Sequence, residues 1–269
     1  MSEDKKDIVT PSPWQQWRTT TPARLALGRA GAGMPTDETL RFGWAHAMAR
    51  DAIHAALDTA ALEATLRADG WQVAQATSRA ADRTTYLRRP DLGRRLDEEA
   101  AQTLHTGAGD CDVCFVIGDG LSSLAVARHA VPLLAALRPH LPAGTRIAPV
   151  TLVTQARVAV ADEVGALYGA QLSVMLIGER PGLSSPDSLG IYLTHAPRIG
   201  RSDAERNCIS NVRPEGLDYD LAAFKLAWLM REALRRGLTG VALKDESDLA
   251  VLAADAAPIM AALPGDKTP

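Results

Sequence analysis

Cysteine is scarce in this chain, with three in 269 residues, and the lone Cys-x-x-Cys of Cys111 and Cys114 has no second pair to complete a zinc site. No apolar run approaches the ~18 residues that a membrane span needs. The opening Met1-Ser2-Glu3-Asp4-Lys5-Lys6-Asp7 lacks the apolar core of a secretory signal, so no membrane association and a cytoplasmic setting are expected. Neither charge sign dominates, at a net −3 and a pI of about 6.1, and no basic patch is interleaved with aromatics. A nucleic-acid partner is therefore not expected. Gly118-x-Gly120 lacks the third glycine of a dinucleotide fingerprint, and the Walker lysine pattern is missing. Nucleophile elbow, histidine-rich metal cluster and paired-carboxylate motif are absent too.

The polar loops and the strand-like runs beside them are the informative part of the chain. Ile177-Gly178-Glu179-Arg180-Pro181-Gly182-Leu183-Ser184-Ser185-Pro186-Asp187-Ser188-Leu189-Gly190 lays a charged, glycine- and serine-rich loop after an apolar run. A second polar segment spans Asp203 to Gly216. Val113 to Ile117 reads as a buried strand, Gly118-Asp119-Gly120-Leu121-Ser122 as a turn with a helix cap, and Ser123 to about Leu137 as an apolar helix that Pro132 should bend. Arg146 to Val153, Leu172 to Ile177 and Gly190 to Thr194 read as further strands, and Asp162 to Tyr168 as a helix. Leu221 to Arg236 repeats its apolar positions at helical spacing, with two arginines suiting its negative end before Gly237. Strands alternating with helices give an α/β class with a mostly parallel sheet.

The N-terminal part reads differently. Residues 1 to about 23 form a polar, proline-containing arm whose Trp14 and Trp17 suggest docking. After the Gly28 to Gly33 turn, Pro35-Thr36-Asp37-Glu38 supplies a capping residue and two acids for a helix from about Thr39 to Leu57. Its polar stripe His46, Arg50, His54 suits either a partner or solvent. A shorter helix is expected around Leu62 to Ala68, and Arg88 to Ala100 opens another whose alternating charges favour a salt-bridged surface over a phosphate site.

In sheets of this kind ligands bind beyond the carboxyl ends of the strands. That rule brings Asp119 and Ser122, Arg157 and Val158, Glu179 and Arg180, and the stretch Cys208 to Asn211 to one edge. Cys111 and Cys114, three apart on a strand, would point to opposite faces and act as packing groups. Cys208, where a polar loop meets a strand-like run, suits a ligand-facing role or a buried structural thiol.

Between about Arg24 and Gly237 the chain carries Gly28-Arg29-Ala30-Gly31, Leu40-Arg41-Phe42, His46-Ala47, Ala49-Arg50-Asp51-Ala52, Tyr86-Leu87-x-Arg89-Pro90-Asp91-x-Gly93-Arg94-Arg95-Leu96, Asp119-Gly120-Leu121-Ser122, Gly178-Glu179-Arg180-Pro181-Gly182-Leu183 and Cys208-Ile209-Ser210-Asn211. In these motifs and their order it resembles the small subunit of ethanolamine ammonia-lyase. It implies adenosylcobalamin as cofactor and, as partner in a hetero-oligomer, a large catalytic TIM-barrel subunit that binds ethanolamine. This chain would carry no catalytic residue. Matching motif to motif, the cofactor contacts fall on Val158, Glu179 and Cys208.

None of the six histidines lies in the Asp-x-His-x-x-Gly sequence of proteins that replace the lower cobalamin base, which agrees with base-on binding. The organisation implied is an arm over 1–23, a helical region over 24–108, a Rossmann-like cobalamin-binding domain over 109–240 and a tail over 241–269. The setting implied is cytoplasmic, in some enzymes of this kind within a bacterial microcompartment. Two other readings compete. One is a stand-alone α/β domain for a nucleotide or phosphorylated ligand, with Arg157, Arg180 and Arg206 as anion contacts. The other is a cysteine enzyme with Cys208 as nucleophile and His195 as base.

Overall fold

The computed structural model describes residues 8–105 and 111–248. The first seven residues of the arm, the junction at 106–110 and the tail from 249 onward lie outside them. Two short strands, Val9–Thr10 (β1) and Arg29–Ala30 (β2), pair antiparallel at the base of the arm. They are followed by helices Thr36–His54 (α1) and Thr59–Ala68 (α2), strand Val73–Thr77 (β3), and helices Arg83–Arg88 (α3) and Glu98–His105 (α4). The second part runs Val113–Gly118 (β4), Ser123–Leu137 (α5), Val150–Thr154 (β5), Val160–Leu167 (α6), Leu172–Gly178 (β6), Leu189–His195 (β7), Asn207–Val212 (β8) and Tyr219–Arg236 (α7).

Strands β3 to β8 form one sheet in the order β3-β5-β4-β6-β7-β8. The β3–β5, β5–β4 and β4–β6 pairs are parallel, whereas β6–β7 and β7–β8 are antiparallel. The fold is therefore α/β, with a parallel centre and an antiparallel flank. All six residues of β4 and all seven of β6 are buried, as strands covered on both faces should be. Val113, Phe115 and Ile117 pack towards α5 and α7, while Cys114 and Val116 pack towards α6. Period-two alternation splits one apolar run between the two layers of core.

Helices α2, α3, α5 and α7 start where side chains cap them. Asp58, Asp82, Ser122 and Asp218 each accept the backbone N–H three residues on, at 2.7–3.3 Å. α1 has no such cap; Pro35 precedes its first turn, and the helix starts at Thr36 rather than Thr39. The helix expected to open at Arg88 is displaced to Glu98, because Pro90 ends α3 and a tight turn over Leu92–Arg94 intervenes. Strand β5 starts four residues later than expected, after Pro149.

Two strands carried little signal. β3 (Val-Ala-Gln-Ala-Thr) and β8 (Asn-Cys-Ile-Ser-Asn-Val) are the sheet edges, so neither needs a continuous apolar run. β3 belongs to the region expected to be helical, and it puts that region into the same sheet as residues 111–240.

Cys111 lies two residues ahead of β4, so alternation does not relate it to Cys114. Both are buried in the same cluster rather than on opposite faces, and packing is their role. Trp14 and Trp17 stay 64% and 50% exposed, and neither is buried in the core among the described residues. The arm is held by β1 and by Arg18, 2.6 Å from the buried carboxylate of Glu38 on α1. α1 itself is seated by an alanine seam, Ala45, Ala49 and Ala52, which leaves Leu40 and Trp44 67% and 71% exposed. Among the described residues no helix is long and apolar enough to cross a membrane.

Candidate functional site

The turns after β4, β5 and β6 meet at the carboxyl ends of the parallel strands. After β4 the chain doubles back at Gly120 (φ +58), where an added Cβ would stand 2.3 Å from the carbonyl oxygen of Gly178. Only glycine allows the two strand ends to close this tightly. Above them lies an open depression of about 450 Å³, bounded by Tyr86, Gly120, Arg157, Val158, Glu179 and Tyr192 among others. Other hollows match it in volume, such as one of about 470 Å³ beside Asp91 and Ile199. What singles this one out is that three strand ends supply it.

Val158 sits half-buried between β5 and α6, in the same depression as Glu179. The Glu179 carboxylate accepts the Ser188 hydroxyl at 2.7 Å and the Asn211 backbone N–H at 3.3 and 3.4 Å. That second bond has a local cause. The β7–β8 register slips by one residue between Leu189 and Ile191, and Asn211 takes a left-handed conformation (φ +60) there. The bulge leaves the Asn211 N–H without a ladder partner, and Glu179 satisfies it.

Cys208 was expected at the junction of loop and strand, and it lies within β8, exposed, directly opposite Tyr192 in the ladder. Residues paired in this way share a face, so the thiol joins the rim through Tyr192. The Cys208 Sγ is 3.3 Å from the Ser210 Oγ. Burial, then Cys208, pushes the Tyr192 phenol well above its usual range. The structure thus brings Val158, Glu179 and Cys208 to one side of the sheet.

Several expected members of the edge turn elsewhere. Asp119 points inward and accepts the backbone N–H groups of Gln155 and Ala156, each at 2.9 Å. Burial raises its carboxyl above the ordinary value, against the pull of these two bonds and of Arg83. Ser122 caps α5 and donates to the Pro186 carbonyl at 2.8 Å. Arg206 is absent from the depression. Its side chain is 1% exposed and lies 2.6 Å from Asp162, also 1% exposed, which removes it as an anion contact. His195 ends β7 at the far side of the sheet, beside Leu172, while Glu179 follows the opposite end of β6. Three residues of strand, roughly 10 Å, separate it from the pair Tyr192–Cys208. Cys208 and His195 therefore form no dyad.

Sequence reasoning gave no site role to Tyr192 or Tyr86. Only the strand register places Tyr192; Tyr86 had a signal in the Tyr86-to-Leu96 motif, which carried no function. Among the described residues no group of three or more His, Cys, Asp and Glu is arranged to hold a metal ion.

Over residues 11–244 the chain matches the family described as Ethanolamine ammonia-lyase light chain (EutC). The chain belongs to that family. Among its relatives, the ethanolamine ammonia-lyase small subunit of Azotobacter vinelandii is 59% identical over 249 residues, 91% of this chain and 92% of that protein. Those of Ralstonia nicotianae and Pseudomonas syringae pv. tomato are 56% and 54% identical, over 94% and 95% of this chain. The family span takes in every turn that builds the depression.

Proposed function

We propose that this chain is the small subunit of an adenosylcobalamin-dependent ethanolamine ammonia-lyase, which converts ethanolamine to acetaldehyde and ammonia. In this reading its Rossmann-like part covers the base-on cofactor and completes its site against a large TIM-barrel subunit, which binds ethanolamine and holds the catalytic residues. The observation that carries it is the meeting of Val158 and Glu179 in one open depression at the strand ends, with Cys208 paired against Tyr192 of its lining.

The residues present fit such a group. The depression is shallow and open, as half of a shared site would be. Its rim offers a carboxylate to accept from amide side groups, the exposed Arg180 to donate, and Val158 and Tyr192 for apolar contact. Carboxylate oxygens have about four acceptor positions, so Glu179 retains capacity beyond Ser188 and Asn211. Homolysis of its cobalt–carbon bond is the chemistry that the cofactor supplies when bound. The task of this chain is to bind, orient and keep water away. A cytoplasmic setting, inside or outside a bacterial microcompartment, completes the reading.

Co-expression with the large subunit, purification through a tag on this chain and an assay of adenosylcobalamin-dependent acetaldehyde release test it. Activity that needs both chains is the expected result. Co-purification without turnover would remove the substrate, and failure to associate would restore the stand-alone domain, already weakened by the burial of Arg206.

A further inference from the structure

Beneath the depression, the segment from Tyr86 to Leu96 acts as a strap across the carboxyl end of β5. The fully buried Tyr86 donates its hydroxyl to the Ala156 carbonyl at 3.1 Å. The guanidiniums of Arg83 and Arg157 lie over its ring at 4.6 and 4.2 Å. The Arg157 backbone N–H donates to the Gly93 carbonyl at 2.8 Å, and a Cβ on Gly93 would come within 2.8 Å of the Arg157 Cγ. The strap therefore fixes Arg157 from one side.

From the other side the chain is held by Asp119. Its two carboxylate oxygens take the N–H groups of Gln155 and Ala156, and Gln155 is left-handed at φ +54, a conformation that a side chain of this kind rarely adopts. The Ser78 hydroxyl holds the Gln155 carbonyl at 2.8 Å, and the Gln155 Oε1 is buried without a hydrogen-bond partner. Nothing in the Gln155 side chain favours this turn. The counter-charge for Asp119 is Arg83, 3.6 Å away, which itself donates to the Gly120 carbonyl at 2.8 Å. One buried carboxylate thus joins the turn after β4 to the strained turn after β5, three residues before Val158.

We propose that Asp119 is a positioning residue for the ligand depression: it holds Gln155 in the left-handed turn that presents Arg157 and Val158, and so preforms the floor before any ligand binds. The inference rests on the cobalamin reading above. It predicts that the carboxylate is needed only because residue 155 is not glycine, which adopts positive φ without strain.

The test uses the complex co-purified with its large subunit. The dissociation constant of hydroxocobalamin is measured by equilibrium dialysis, without turnover, alongside KM for adenosylcobalamin and kcat. Asp119→Asn, which cannot accept both amides, should raise the dissociation constant and KM by about tenfold, leaving kcat at saturating cofactor within about twofold. Adding Gln155→Gly to Asp119→Asn should recover most of that loss. An unchanged constant in Asp119→Asn, or no recovery from Gln155→Gly, would overturn the proposal. If Asp119→Asn does not assemble, Gln155→Gly alone decides. Binding within about twofold of the unaltered complex supports the proposal, and a tenfold loss refutes it. If the unaltered complex shows no saturable hydroxocobalamin binding, the functional reading fails and this inference with it.

Discussion

Replacing Arg206 by methionine should be among the most damaging single changes available in this chain. The Arg206 Nη1 lies 2.6 Å from the Asp162 Oδ1 and 3.1 Å from the Thr194 hydroxyl oxygen, and its Nη2 donates to the Arg201 carbonyl at 2.9 Å. With both partners 1% exposed, removing the guanidinium leaves the Asp162 carboxylate buried without its counter-charge. Breaking a buried pair from one side costs about 3–5 kcal/mol, whereas replacing both partners by apolar groups is near neutral. At roughly 2–4 °C per kcal/mol for a chain of this size, the thermal midpoint should fall by about 6–20 °C. Arg206→Lys should recover little, because one ammonium cannot meet three acceptors spread along a planar fork. Combining Arg206→Met with Asp162→Leu should recover most of the loss. Differential scanning calorimetry of the purified protein, with or without its partner chain, reads all four forms. A drop of less than about 2 °C for Arg206→Met, or a double variant no better than the single, would refute the argument.

Three further outcomes are expected. Glu179→Ala should leave assembly intact by size-exclusion chromatography while raising the apparent cobalamin dissociation constant by the equivalent of about 1–3 kcal/mol, roughly 5- to 150-fold; an unchanged constant would remove Glu179 from the site. Iodoacetamide should alkylate Cys208, which is exposed, well before the buried Cys111 and before Cys114, whose thiol burial pushes far up. Saturating cobalamin should slow that labelling, and peptide mass spectrometry showing no protection would detach Cys208 from the rim. Glu205 is held at about 2, from an ordinary 4.5, first by the Ser202 backbone N–H and then by Arg201. A depressed carboxyl gives stability that is present above its unfolded value and lost as pH falls towards the folded one. Glu205→Gln should therefore flatten the fall in thermal midpoint between about pH 4.5 and pH 2, and equal slopes in both proteins would count against the pairing.

What the sequence determined alone is local. The apolar runs of β4 and β6, the Ser122 cap of α5 and the Arg235–Arg236–Gly237 ending of α7 are each written within about a dozen residues, and each formed as its pattern required. The carboxyl-end rule then located the depression at Val158 and Glu179. Tertiary structure decided whatever depends on pairing between distant segments. β3 and β8 are half-exposed edges that need no apolar run, so only the finished sheet reveals them. Cys208 reaches the rim because β8 pairs with β7 in a register that sets it against Tyr192. Asp119 and Arg206 look from sequence like solvent-facing loop groups, yet each is drawn inward by a partner that sequence distance hides: the amides of Gln155 and Ala156 for one, the carboxylate of Asp162 for the other. Buried polar groups must be satisfied wherever the chain ends up, and no local window records which partner will be within reach.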